Sequence, residues 1–239
     1  MARIVNEAAH AARRNAILDA AQRAIVTKGY EQMAIADLLG ELGISSGAFY
    51  HYFDSKPTLL EALVERMGDQ AEQVVAPILH DPALPALEKL QRFFAALDQW
   101  KVAHKSLVLE YMRCWYSDEN AIVRYKLRVA RYKRLAPWLE AIIYQGIEEG
   151  VLQTPYPDQA TRLIVGLFDD LGYVTFDLLC GQEPTPDDLP RFERILAATT
   201  DTLEYVLGAP KGCLQHFVTR EEIEQWLPRS TGQKEEQQI

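Results

Sequence analysis

The sequence predicts an all-α protein: a small N-terminal three-helix domain carrying a helix-turn-helix, followed by a larger helical domain. Two observations predict it. Apolar residues recur at helical spacing almost throughout, and no segment alternates with the period of a half-buried strand. Near the N-terminus, two short apolar-faced segments flank a turn at Gly43-Ile44, the pattern of two helices joined by a glycine-containing turn.

Each element has its own signal. Ile17, Ala21, Ala24 and Ile25 fall at i, i+4, i+7 and i+8, one face of a first helix. Lys28-Gly29 ends it, a basic last turn followed by a residue able to go left-handed. Ile35, Leu38, Leu39 and Leu42 repeat the pattern in a second, short helix that Gly43 stops. Gly40 inside it costs about 1 kcal/mol against alanine. A serine then offers its hydroxyl as an N-cap for a third helix expected over 46–53. Asp54-Ser55 cap a fourth beginning at Lys56-Pro57, where proline is tolerated because first-turn N–H groups lack partners. Leu59, Leu60, Leu63, Val64 and Met67 give that helix its apolar face.

Five or six further helices follow. Segments 85–103, 106–115, 119–150, 158–180 and 189–207 keep the helical period, with Pro137 expected to kink or break the long one. Thr219 and Glu222 have the spacing of a capping box before a last short helix, and the polar end "RSTGQKEEQQI" predicts disorder. The expected division is residues 1–56, 57–210 and a C-terminal extension, 211–239.

Composition narrows the function classes. Of the 239 residues, 48% are apolar and 25% charged, an ordinary globular balance. The net charge of −9 is unevenly placed. Residues 1–56 balance Arg3, Arg13, Arg14, Arg23, Lys28 and Lys56 against Glu7, Asp19, Glu31, Asp37, Glu41 and Asp54, so the rest of the chain carries the whole excess. A neutral head with local positive spots on an acidic body suggests two jobs. Cys114, Cys180 and Cys213 are odd in number and far apart. That argues for a reducing, cytoplasmic setting and against a structural metal site. No apolar run approaches the ~18 residues of a membrane span, and "MARIVNEAAHAARR" has no signal-peptide core. No motif calls for a cofactor or a metal.

The segment "GISSGAFYHYFDSK" carries the chemistry. On a helix at about 100° per residue, Phe49 and Phe53 face inward one turn apart. Gly47, Ala48 and His51 point outward, flanked by Tyr50 and Tyr52. Small residues let a backbone approach closely, and tyrosine and histidine offer hydrogen bonds to phosphates or base edges. Lys56 can anchor a phosphate. The bland alternative is a small amphipathic helix with surface tyrosines, and chemistry alone leaves the two open.

The stretch "AARRNAILDAAQRAIVTKGYEQMAIADLLGELGISSGAFYHYFDSKPTLLEALVERM" resembles the N-terminal domain of the TetR family of bacterial transcriptional regulators. The likeness lies in the order of the Ala-Ala pair, the Lys-Gly-Tyr break, the Gly-Ile-Ser turn, the Tyr-His-Tyr-Phe run and Ser-Lys. It implies that Ser45, Ser46, Gly47, Ala48, Tyr50, His51 and Tyr52 sit on or beside a DNA-recognition helix. It also implies that Lys56 touches phosphate, and that Arg13 and Arg14 approach the DNA. One departure stands out: the family usually places Thr or Ser where Met33 and Ala34 stand, so a helix cap and a phosphate contact are missing.

For the body, the resemblance implies a homodimer on a palindromic operator of double-stranded DNA, built on the last helix pair. Leu163, Leu167, Leu171, Leu178, Phe192, Ile195, Leu196 and Leu203 are the expected interface. It also implies a small-molecule effector of unknown identity, with Phe94, Trp100, His104, Tyr111, Trp115, Tyr125, Trp138, Phe168, Asp169 and Tyr173 as candidate lining. Asp169 or Asp170 inside an apolar run hints at a cationic effector. The basic residues from Arg124 to Arg134 read first as a solvated face paired with acidic neighbours, second as an anion site. The expected activity is a repressor released from DNA when the effector binds. The alternatives are an activator, a sensor of a protein partner, a helical enzyme using Cys114 or His104, or a small-molecule-binding protein without DNA function.

Overall fold

The computed structural model describes residues 7–116, 120–180, 185–214 and 226. The described residues form helices and turns, with no strand among them. The helices are α1 (Glu7–Lys28), α2 (Ile35–Leu42), α3 (Ser46–Tyr50), α4 (Lys56–Leu79), α5 (Ala86–Ala103), α6 (Lys105–Tyr116), α7 (Ala121–Glu148), α8 (Pro157–Cys180) and α9 (Asp188–Leu207). The glycines expected to stop helices do so in left-handed backbone: Gly29 follows α1 at φ 82° and Gly43 follows α2 at φ 60°.

Two expectations change. The third helix is shorter than 46–53: α3 ends at Tyr50, and His51-Tyr52 form a turn. The Tyr52 amide donates to the Phe49 carbonyl, a tightened i−3 bond, while the Phe53 amide keeps the i−4 bond to the same carbonyl. Phe53 therefore still lands in the core. Of the two effects expected at Pro137, a kink or a break, the break does not occur: α7 runs through it. Pro137 is exposed, so water can serve the carbonyl that its missing N–H leaves unpaired. The last expected helix lies outside the described residues, Trp226 excepted.

The contacts divide the chain into two compact units. The first takes the chain up to Gln70 together with Ser106–Leu127; the second takes Ala71–Lys105 and the chain from Arg128 onward. The first unit has a continuous apolar core. Ile17, Leu18 and Ile25 of α1, Leu38 of α2, Phe49, Phe53 and Leu59, Leu60 and Leu63 of α4 are all essentially inaccessible. Leu107, Tyr111 and Cys114 of α6, with Val123 and Leu127 of α7, join the same cluster. Burying this set supplies the main stabilisation, at about 25 cal/mol per Å² of apolar surface. Polar ties fix the helices around it: Arg23 to Glu41 at 2.6 Å, Lys28 to Asp37 at 2.9 Å, and Arg66 of α4 to Asp19 of α1 at 2.6 Å.

The second unit packs Leu90 of α5, Leu139 and Ile143 of α7, Ile164 of α8 and Leu203 and Leu207 of α9 into one cluster. α8 and α9 lie side by side. The buried Glu204 closes the end of α9, accepting from the amides of Gly212 and Leu214 at 2.8 Å each. Among the described residues no helix is long and apolar enough to cross a membrane, and no cluster of His, Cys, Asp and Glu could hold a metal ion.

Candidate nucleic-acid interface

In the first unit, the sequence places a one-turn helix on the surface and nails it from below. Ser45 is the N-cap of α3, with extended backbone, and its hydroxyl accepts from the Ala48 amide at 3.2 Å. Phe49 and Phe53 sit 5.9 Å apart in the core. Their burial holds the outer face: Ser45, Ser46, Gly47, Ala48 and His51 are exposed, Tyr50 is 49% exposed and Tyr52 is half-buried. Nothing stands within 4 Å of where a Gly47 side chain would begin. The surface is thus slim at the start of the turn and aromatic and polar at its end.

Basic groups surround that face. Arg13 is exposed; Arg14 is half-buried, its guanidinium 5.3 Å above the Phe53 ring. Lys56, the first residue of α4, donates to the Glu31 carbonyl at 3.1 Å and lies 4.4 Å over the Tyr30 ring. One of its three N–H groups is thus spent within the chain, and the ammonium is held in place rather than swinging freely. His10 of α1 was not singled out by the sequence. It packs 4.6 Å from the Tyr52 ring and edge-on to His51 at 5.7 Å. It lies one helical turn before Arg13 and Arg14, and only the fold brings it to His51 and Tyr52.

The departure at Met33-Ala34 splits into two different facts. Met33 is 2% exposed and belongs to the core, so a hydroxyl there would be buried. Ala34 is the residue in the N-cap position of α2, extended at φ −97° and ψ 141°, with no side chain to cap the helix.

The candidate effector lining does not gather in one unit. Tyr111 is core and Trp115 packs against the same cluster in the first unit, where Tyr125 is exposed. In the second unit, Phe94 and Phe168 pair at 5.0 Å, and Trp100 stacks on His104 at 4.6 Å. Tyr173 is exposed, and Trp138 borders a small cavity. Asp169 is half-buried between Arg128, at 2.9 Å, and Arg131. Two guanidiniums therefore already answer the charge of Asp169, one of the two residues behind the hint of a cationic effector, while Asp170 is exposed. Lys126 pairs with Glu61 at 2.9 Å and Arg134 with Glu72 at 3.6 Å, as a face paired with acidic neighbours requires. Of the expected interface residues, Leu178, Phe192 and Leu203 are buried within the chain itself. Leu167, Leu171, Ile195 and Leu196 are half-buried, and Leu163 is 59% exposed.

Cys114 has no nucleophile's environment. Burial first, then the carboxylates of Glu110 and Glu31, push its thiol up to about 12, where the thiolate is scarce at neutral pH.

Known proteins resemble this chain in sequence and in fold. The family described as bacterial regulatory proteins, tetR family, matches residues 17–63, and the tetracyclin repressor-like C-terminal domain matches residues 108–182. Together they take in about half of the chain. The HTH-type transcriptional regulator BetI of Escherichia coli is 30% identical over 127 residues, 52% of this chain and 64% of that protein. The HTH-type transcriptional repressor DhaR of a Mycobacterium species is 23% identical over 84 residues, 35% of this chain and 42% of that protein. The chain thus spans less than two thirds of the length of these relatives. Among solved structures, a TetR-family transcriptional regulator from Pectobacterium atrosepticum superposes with a TM-score of 0.65 at 20% identity, covering 87% of this chain and 100% of that one. A transcriptional regulator from Cytophaga hutchinsonii gives a TM-score of 0.62 at 17% identity, covering 82% of this chain and 97% of that one. At such identities the likeness is one of fold.

Proposed function

Because this chain belongs to the TetR family of bacterial regulatory proteins, we propose that it is a cytoplasmic, homodimeric repressor that reads a palindromic operator and leaves it when a small effector binds. The observation that carries the reading is the exposed turn of α3. It combines a slim, hydroxyl-bearing start at Ser45, Ser46, Gly47 and Ala48 with Tyr50, His51 and Tyr52 behind it, on a base of two buried phenylalanines. Phosphate contacts set register, and base-edge contacts set sequence. Arg13, Arg14 and Lys56 serve the first purpose here. Tyr50 and His51, the exposed hydrogen-bonding side chains of the turn, serve the second.

A two-fold protein presents two such turns to a two-fold operator, about one helical turn apart or a little more. Leu163, Leu167, Leu171, Ile195 and Leu196 of α8 and α9 supply the apolar surface for pairing. Release follows from coupling: an effector shifts the equilibrium only by its difference in affinity for the two states, typically 1–3 kcal/mol. α4 supports such coupling. It starts beside the reading turn, at the Ser55 cap that accepts from the Thr58 amide, and its last turns belong to the second unit.

A fluorescence-anisotropy titration with the DNA upstream of the protein's own gene tests the proposal. The expected result is salt-sensitive binding that unlabelled specific DNA competes away better than random DNA. Absence of sequence-specific binding in any ligand state would overturn it.

A further inference from the structure

One ring of the aromatic cluster at the reading turn comes from outside the helix-turn-helix. His51 and Tyr52 lie just beyond the last helical residue of α3. Their amides are tied back to the carbonyls of Gly47 and Phe49, which fixes the backbone but not the side chains. Tyr52 packs against the core cluster of the first unit. His10 of α1 packs on it as well, with ring centres 4.6 Å apart and planes inclined at 44°. The same imidazole meets His51 edge-on at 5.7 Å, and His51 meets Tyr52 edge-on at 5.3 Å. Each of the three rings thus touches the other two.

Ring contact is what joins them. Among the described residues, no hydrogen bond or ion pair involves the side chain of His10, His51 or Tyr52. The His51 nitrogens and the Tyr52 hydroxyl therefore stay available to a nucleic acid. His10 is placed to hold both neighbours. It is half-buried and stands on an unbroken helix, about two turns before Ile17 and Leu18, which are inaccessible in the core. A side chain on an anchored helix sets geometry more closely than one on a loop.

We propose that His10 is a positioning residue of the reading surface: it holds the Tyr52 and His51 rings in the orientation that meets the DNA, without contacting the DNA itself. The inference rests on the DNA-reading account above. Without His10 both side chains would have to be ordered at the moment of binding, an entropy cost that a preorganised surface avoids. Any aromatic ring at this position supplies the packing, whereas a phosphate contact would need the imidazole nitrogens. Sequence-specific binding is what His10 serves, because phosphate contacts carry binding to random DNA.

Anisotropy titrations of the full chain against the upstream DNA and random DNA test it. His10→Ala should lower specific affinity roughly 2- to 12-fold, the worth of one aromatic pair. Binding to random DNA should change much less, with dimer and helix content intact. His10→Phe should restore the parent's specific affinity. In a Tyr52→Ala background His10→Ala should cost clearly less than in the parent, since one of the rings it acts through is already gone. His10→Gln replaces His10→Ala should that variant fail to fold. Equal losses in His10→Ala and His10→Phe, or equal losses on both DNAs, would mean a direct DNA contact and overturn the positioning role. Unchanged specific affinity in His10→Ala, with Tyr50→Ala impaired, would overturn this inference and leave the DNA-reading account standing. No sequence-specific binding by the parent would overturn both.

Discussion

Ala34→Ser should stabilise the protein. Ala34 already has the extended backbone of an N-cap, and its side chain faces solvent, so a hydroxyl there costs no desolvation. A serine oxygen would accept from the first-turn amides of α2, as Ser45 does for α3. The full value of such a cap is about 0.5–2 kcal/mol. Here part of it is already recovered, because the Asp37 amide donates to the Ala34 carbonyl at 3.1 Å. The expected gain is therefore the lower part of the range, about 0.5–1 kcal/mol. For a chain of this size that is a rise of roughly 1–4 °C in the melting temperature followed by circular dichroism. Ala36→Ser, two positions on and equally exposed, is the matched control. It places serine inside the helix, where the change should cost about 0.5 kcal/mol. A melting temperature that falls in Ala34→Ser, or moves alike in both variants, would refute the assignment of Ala34 as the vacant cap.

Two glycines with the same backbone separate strain from collision. Gly43 and Gly208 both sit at φ 60°, but only at Gly208 would a Cβ meet backbone, 2.7 Å from the Gln153 carbonyl. Gly43→Ala should lose about 1–2 kcal/mol of stability to left-handed strain, and Gly208→Ala clearly more, as read from denaturant midpoints. Equal losses would contradict the packing of Gly208 on Gln153. Alkaline pH should weaken the fold. Cys114, pushed up to about 12, and Tyr111, pushed above its ordinary range by burial, hold their protons more tightly folded than unfolded. Their contribution is complete below the unfolded thiol's value near 8.5 and is lost as pH rises from about 9 toward 12. Urea midpoints should fall between pH 8 and pH 10, with a shallower fall in Cys114→Ala; a flat profile would contradict the burial. At neutral pH, native Cys114 should resist alkylation, and rapid labelling would return the enzyme reading to contention.

Much of the fold was legible because its signals are local. Helical spacing and the stops at Gly29 and Gly43 depend only on neighbours in the chain, and the structure keeps them. The two inward phenylalanines were legible for the same reason, although α3 is one turn shorter at its end than expected. The misses are tertiary. Met33 and Ala34 look like one lost cap in the sequence, yet one is core and the other a vacant cap, and only the path of the chain after Gly29 separates them. His10 carries no motif; it matters because α1 brings it against His51 and Tyr52. Asp169 looked available until α7 set Arg128 and Arg131 beside it. The helix α6 was read with the body, but Leu107, Tyr111 and Cys114 belong to the same core cluster as Phe49 and Phe53.

The central claim is that α3 and the turn after it read DNA. Anisotropy titrations of Tyr50→Ala and His51→Ala against the upstream DNA test it most directly, with dimer and helix content checked in parallel. Each side chain is solvent-facing and outside the core, so both variants should stay folded. Losing a base or phosphate contact is worth about 1–3 kcal/mol, so specific affinity should fall roughly 5- to 150-fold, with binding to random DNA changed much less. Unchanged specific affinity in both variants would mean that this turn is not the reader.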